Sequence, residues 1–147
     1  LNRGVSGTKT IDLINYKDRL ISPYHPRQIF VYEGDNDIGY QWTPDEILEQ
    51  MKRLFFILRK EKPEAEIIFI SIKPSVRRLK DKERIEQTNA LIKEFVEQQM
   101  NTAYADVYNP MFTPKGELFP EHYREDGLHL TAEGYAVWKE VISKYIK

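Results

Sequence analysis

Asp126-Gly127-Leu128-His129 puts a carboxylate and an imidazole three residues apart, just ahead of the last amphipathic stretch of the chain. A neutral imidazole becomes an effective general base when a carboxylate fixes its tautomer and stabilises the imidazolium that forms. One short turn can supply both groups. Such chemistry needs donors for the charge that develops on a carbonyl oxygen. Asn36, within Gly34-Asp35-Asn36-Asp37, directly follows an apolar run and offers a side-chain amide. Gly34 lets the backbone turn sharply or approach a substrate closely. Gly7, within Ser6-Gly7-Thr8, offers a backbone N–H. Taken singly, each motif also has a plain structural reading: an Asx-rich turn at Gly34–Asp37, a strain-relieving glycine at Gly7, a helix cap at Asp126–His129.

The chain has 147 residues, 41% hydrophobic and 31% charged, with a formal net charge of -1. That is enough for one domain, residues 1–147, with its own core. Charges of both signs alternate along it, which gives no basis for nucleic-acid binding. Cysteine is absent. Disulfides, thiolate metal sites and cysteine nucleophiles are therefore excluded, and the compartment stays open. The first residue is Leu1 rather than Met, in what reads as the end of a strand; the expectation is the C-terminal part of a longer protein.

The elements that must position these residues alternate. Ile11 to Leu20 reads as a helix, broken by Pro23 and Pro26. Gln28 to Tyr32 reads as a buried strand, with Glu33 to Asp37 a loop beyond it. Thr43-Pro44-Asp45-Glu46 is a capping box with proline at the first helical position. It opens a helix whose stripe is Ile47, Met51, Leu54, Phe55 and Leu58, ended by Lys62-Pro63. Glu66 to Ile72 is a continuous apolar run suited to a central parallel strand, left by Lys73-Pro74-Ser75. Asp81 to Met100 is a second long helix, and Ala103 to Tyr108 a weaker strand. Asn109 to Glu125 is a long loop. Thr131 caps a final helix with Tyr135, Trp138, Val141, Ile142 and Tyr145 inward. The alternation predicts an α/β fold with parallel strands. Its ligand site lies beyond their C-terminal ends, where Glu33–Asp37 and Lys73–Val76 fall.

In combination, Gly7, then Gly34-Asp35-Asn36-Asp37 after a strand, then Asp126-Gly127-Leu128-His129 before the last helix resembles the SGNH (GDSL-type) hydrolase family. The resemblance spans Leu1 to Lys147. It implies a flavodoxin-like three-layer α/β/α fold with a parallel sheet in the order second, first, third, fourth, fifth. It implies His129 as general base, Asp126 as its orienting partner, and Asn36 and Gly7 as oxyanion donors. Gly34, Asp37 and Trp42 would line the substrate, a small acyl ester, acetylated sugar or lipid ester, with no cofactor and no metal.

The resemblance also implies what is missing. The nucleophilic serine belongs to a Gly-Asp-Ser-like block after the first strand, and no such block stands in this sequence. Its serines are Ser6, Ser22, Ser71, Ser75 and Ser143. By this mapping the sheet lacks its first strand and all of the second but Leu1-Asn2. The chain by itself would be inactive, and the apolar edge at Ile29–Tyr32 would recruit a second copy or a retained N-terminal fragment. The alternative is a flavodoxin-like binding module or decayed hydrolase without turnover. Metal binding through Asp126, His129 and Asp37 is the remaining reading.

Overall fold

The structure is a computed structural model that describes residues 1–147. Three strands form one parallel sheet in the order β1-β2-β3: β1 Gln28–Val31, β2 Glu66–Ile70 and β3 Thr102–Ala105. Gln28 pairs with Glu66 and Ile67 with Thr102, so β2 is central. Around them run the helices α1 Thr10–Asn15, α2 Lys17–Leu20, α3 Asp35–Gly39, α4 Pro44–Glu61, α5 Lys82–Glu97 and α6 Ala132–Ser143.

Side chains on a strand alternate between faces. Ile29 and Val31 of β1, with Ile67 and Phe69 of β2, join the large core formed with α1, α4 and α5. The α4 stripe read from the sequence is the one that is buried. Thr43 caps α4 as expected: its Oγ1 accepts from Glu46 N at 3.3 Å while Glu46 Oε2 accepts from Thr43 N at 2.8 Å. On the opposite face, Tyr32 meets Trp138 of α6 edge-on, 4.8 Å between ring centroids. The Tyr145 hydroxyl donates to Tyr104 O at 2.8 Å. Helices on both faces make the expected three layers.

Three helical segments and one inward-facing residue differ from the sequence reading, and β3 covers Thr102–Ala105 in place of Ala103 to Tyr108. The first helix splits at Tyr16, whose N–H closes α1 on Asp12 O before α2 begins. Glu33–Asp37 is no open loop, because α3 starts at Asp35 with Gly34 in the left-handed region at φ 104°. Acids in a first helical turn suit the positive end of the backbone dipoles. The second long helix begins later, after a 3-10 turn at Val76–Asp81, and ends earlier, at Glu97. Finally, Tyr135 on α6 points outward and is 55% exposed, while Gly134 is the buried residue. A side chain at 134 would run into His122 O, 2.5 Å from an added Cβ.

β1 has a neighbour on one side only. Along its free edge runs a groove of about 930 Å³ that holds Ile29, Phe30 and Tyr32 on its floor, Leu54 of α4 on one wall and Ile142 of α6 on another. No apolar side chain of α6 is fully buried, and its Ile142 borders this groove.

Gly34 is irreplaceable on two counts. Its φ is positive, and an added Cβ would sit 2.6 Å from Ile72 Cδ1. Gly34→Ala is expected to destabilise the fold by about 2 kcal/mol or more, seen as a lower midpoint in urea unfolding with unchanged slope.

Candidate active site

The C-terminal ends of parallel strands share one rim, and the first candidate group sits beyond β1. Gly34 turns the chain into α3, whose second residue is Asn36. Asn36 Nδ2 donates to Thr8 O at 2.7 Å. An amide carries two N–H groups, so one remains for a ligand. That bond draws the Gly7 turn alongside. Gly7 has φ 80° and is exposed, and its N–H has no acceptor within the chain.

Two further bonds lace the same segments together. The Thr8 hydroxyl donates to Glu33 Oε1 at 2.7 Å. Thr10 N meets both carboxylate oxygens of Asp37, at 3.3 and 3.2 Å. Asp37 is therefore a correction to the sequence reading. It is 0% exposed and cannot line a substrate. With its oxygens facing Thr10 N it does not converge with Asp126 and His129 as a metal ligand set, and no cluster of three His, Asp or Glu groups with that geometry is present. Gly34 is also buried, against Ile72 and Met51, and shapes the turn instead of touching a ligand. Trp42 is half-buried in the main core beside a shallow hollow formed with Asp45, Glu46, Glu49 and Gln50. Lys9 Nζ lies 5.8 Å from its ring centroid.

The Asp126–His129 turn lies ahead of α6, which Thr131 caps by accepting from Gly134 N at 3.3 Å. Asp126 Oδ1 accepts from the backbone N–H groups of Leu128 and His129, both at 2.9 Å. Its Oδ2 lies 2.6 Å from His129 Nδ1. The His129 hydrogen bond, then the two backbone N–H groups, hold the Asp126 carboxyl far below the usual carboxylate range. A carboxylate on Nδ1 assigns the proton there and leaves the Nε2 lone pair free. The imidazole is 59% exposed and Asp126 39%. His25 is exposed, and His122 stacks on Phe119 at 4.8 Å with its Nδ1 buried and unpartnered.

The turn joins the rest of the rim through the loop after β2. Arg77 N donates to Gly127 O at 3.0 Å. Lys73 Nζ stands 3.5 Å from Asp35 Oδ2, and Arg78 Nε donates to Asp35 Oδ1 at 2.9 Å. Burial pulls the Lys73 ammonium below its ordinary pKa, with Asp35 opposing. Hydrogen bonds thus link the segments that carry Gly7, Asn36, Asp126 and His129. Arg78 was not singled out from the sequence, and Lys73 and Thr8 entered only as members of Lys73–Val76 and Ser6-Gly7-Thr8; the basic pair Arg77-Arg78 straight after a strand loop was the available signal.

No serine meets the imidazole. Ser71 Oγ accepts from Val107 N and Tyr108 N at 2.9 and 3.0 Å. Ser22 bonds Glu61 at 2.6 Å and Ser143 bonds Glu140 O at 3.1 Å. Ser75 Oγ is buried without a partner, and Ser6 is exposed.

The family model of the GDSL-like Lipase/Acylhydrolase family matches residues 1–137. A Streptococcus pneumonia structure with the provisional description platelet activating factor superposes with a TM-score of 0.88 at 26% identity, over 99% of this chain and 71% of that one. A carbohydrate esterase family 3 protein of Talaromyces cellulolyticus has the same fold, with a TM-score of 0.82 at 21% identity over 97% of this chain and 68% of that one. An N-acylneuraminate cytidylyltransferase of Escherichia coli O18:K1:H7 is 22% identical over 151 residues, 99% of this chain; the chain spans 35% of that relative's length.

Glu33 gives the rim a pH signature. Burial, helped by Asp37 and Asp12 and opposed by the Thr8 hydroxyl, pushes its carboxyl from the ordinary 4.5 up to about 7. The folded state thus holds the proton that the unfolded state releases first. Stability falls as pH rises from about 4.5 to about 7, by an order of 3 kcal/mol, and regains it on acidification. Glu33→Gln should remove that slope. Thermal unfolding is expected to show the variant gaining on the parent at pH 8 and losing the advantage at pH 4.

Proposed function

Because this chain belongs to the GDSL-like lipase/acylhydrolase family, we propose that it supplies the base and the oxyanion donors of a serine ester hydrolase working through an acyl-enzyme. The observation that carries this reading is the Asp126–His129 pair, 2.6 Å apart, with Nε2 open on the rim shared by Asn36 and Gly7.

In the first half-reaction His129 Nε2 takes the proton of a serine hydroxyl as that oxygen attacks the ester carbonyl. Asp126 stabilises the imidazolium without taking its proton. The free Asn36 N–H and the Gly7 N–H receive the oxyanion. His129 then hands its proton to the leaving alcohol. In the second half-reaction it takes a proton from water as that oxygen attacks the acyl-serine, then returns the proton to Oγ as the acyl–Oγ bond breaks, releasing the carboxylic acid and restoring serine. The residues of this chain fill every role but the nucleophile. The serine comes from outside these residues, on an extended segment seated in the groove beside β1. The groove supports this reading because it has an apolar lining and runs beside a sheet edge without a partner. The substrate is a small acyl ester, an acetylated sugar or a lipid ester. The carbohydrate esterase of similar fold makes a sugar ester the first of these to test.

The lack of a serine beside His129 also favours a second reading, a binding module without turnover. Full-length polypeptide separates the two. It is expected to hydrolyse p-nitrophenyl acetate, and His129→Ala to lower kcat by about 10³-fold or more. Wild-type turnover by that variant would overturn the role of His129, and a full-length chain without turnover would leave the binding module standing. The 147 residues alone should be inactive. Sedimentation should find them self-associated, or bound to a retained fragment, and addition of that fragment should return them to monomeric mass. A monodisperse bare monomer would count against the open edge as a docking place.

A further inference from the structure

The two halves of the site hang on one short segment. Beyond β2 the chain passes Lys73-Pro74-Ser75 and enters the 3-10 turn at Val76–Asp81. Its backbone grips the His129 side. Arg77 N donates to Gly127 O at 3.0 Å, and the Tyr123 hydroxyl donates to Pro74 O at 3.0 Å. Val76 lies against Gly127, where an added Cβ would be 3.2 Å from Val76 Cβ.

The next side chain grips the Asn36 side. Arg78 is only 13% exposed in its side chain, and its Nε donates to Asp35 Oδ1 at 2.9 Å. Its guanidinium then lies beside Gly39, which stays exposed to solvent on its other side. A methyl group at Gly39 would stand 2.5 Å from Nη1, 2.6 Å from Nη2 and 2.8 Å from Cζ. One planar group thus touches the residue before Asn36 and the last residue of α3. Arg84 reinforces the far end, with Nη2 on Gln41 Oε1 at 3.0 Å. Asp35 is shared with Lys73, which holds it in place from the other side.

We infer that Arg78 is a positioning residue that fixes the separation between the Asn36 amide and the His129 imidazole, and that Gly39 is glycine to admit its guanidinium. The roles of Asn36 and His129 are those of the preceding section. The physical basis is rigidity. The helix α3 has five residues, too few to be stable by its own hydrogen bonds. A flat, hydrogen-bonded guanidinium gives it a fixed seat, and a lysine on a flexible stem does not. A misplacement of about 1 Å in a reacting array costs on the order of 10²-fold in rate.

The test uses the full-length polypeptide with Arg78→Ala, Arg78→Lys and Gly39→Ala, p-nitrophenyl acetate as substrate, and nitrogen NMR of the Asn36 side-chain amide. Arg78→Ala is expected to lower kcat by at least about tenfold with KM within about twofold, because an oxyanion donor acts in the transition state. The Asn36 amide resonances should move. Arg78→Lys should recover only part of the loss. Gly39→Ala, which leaves Arg78 in the chain and displaces only the end of its side chain, should shift the same resonances in a folded protein. Unchanged kcat with unmoved Asn36 resonances in Arg78→Ala and Gly39→Ala would overturn the inference, as would a loss carried wholly by KM. If the parent turns over no ester, the hydrolase reading fails by itself. The Asn36 resonances of Gly39→Ala then decide alone: a shift upholds the seat, and no shift removes it.

Discussion

Everything at the rim depends on the parallel register of β1 on β2. Parallel pairing makes both strands end on the same side, so the segment after each arrives within reach of the other. Gln28 opposite Glu66 and Val31 opposite Phe69 set that register. Four residues beyond Val31 comes Asp35, and beyond Ile70 come Lys73 and Arg78. Their ion pairs are consequences of strand alignment. Slipping β1 by one residue against β2 would turn Ile29 and Val31 out of the core they share with Ile67, Phe69, α4 and α5. The hydrophobic effect therefore holds the register, and the register holds the polar contacts.

A second layer of order comes from buried carboxylates that work as staples. Asp37 and Glu33 lie in the interior end of the β1–α3 segment and receive Thr10 N and the Thr8 hydroxyl. Burial raises both carboxyls above their ordinary pKa, so each bond is made against a desolvation cost. The return is that a glycine-containing turn with no secondary structure of its own is tied to a fixed point. The exposed Gly7 N–H gains a definite direction from bonds made by its neighbours.

Local signals were legible in the sequence and long-range ones were not. Thr43-Pro44-Asp45-Glu46 and its stripe gave α4 almost to the residue, since capping and amphipathicity are set by neighbours in sequence. The runs at Gln28 and Glu66 gave β1 and β2, and the Asp126–His129 hydrogen bond follows from a spacing of three. The helix α3 escaped because Gly-Asp-Asn-Asp is also a turn composition, and five residues are too few to show a period. Asp37 was misread because its burial is decided by Thr10, a partner 27 positions away. The role of Arg78 was illegible for the same reason: Arg77-Arg78 shows as a basic pair, and its partner Asp35 is 43 positions away. The outward turn of Tyr135 reflects a close approach between Gly134 and His122 that no periodicity records.

The closeness of Asp126 and His129 along the chain has a mechanical corollary. Their hydrogen bond closes a loop of only four residues, Asp126 to His129, so little chain entropy opposes it. Carboxylate and ring are carried by one turn, pinned by the N–H groups of Leu128 and His129. Breathing of the domain, or loss of a distant element, moves the pair as a rigid unit and leaves its internal alignment intact. Ring and carboxylate are thus aligned with each other in advance, whatever group approaches the far side of the imidazole.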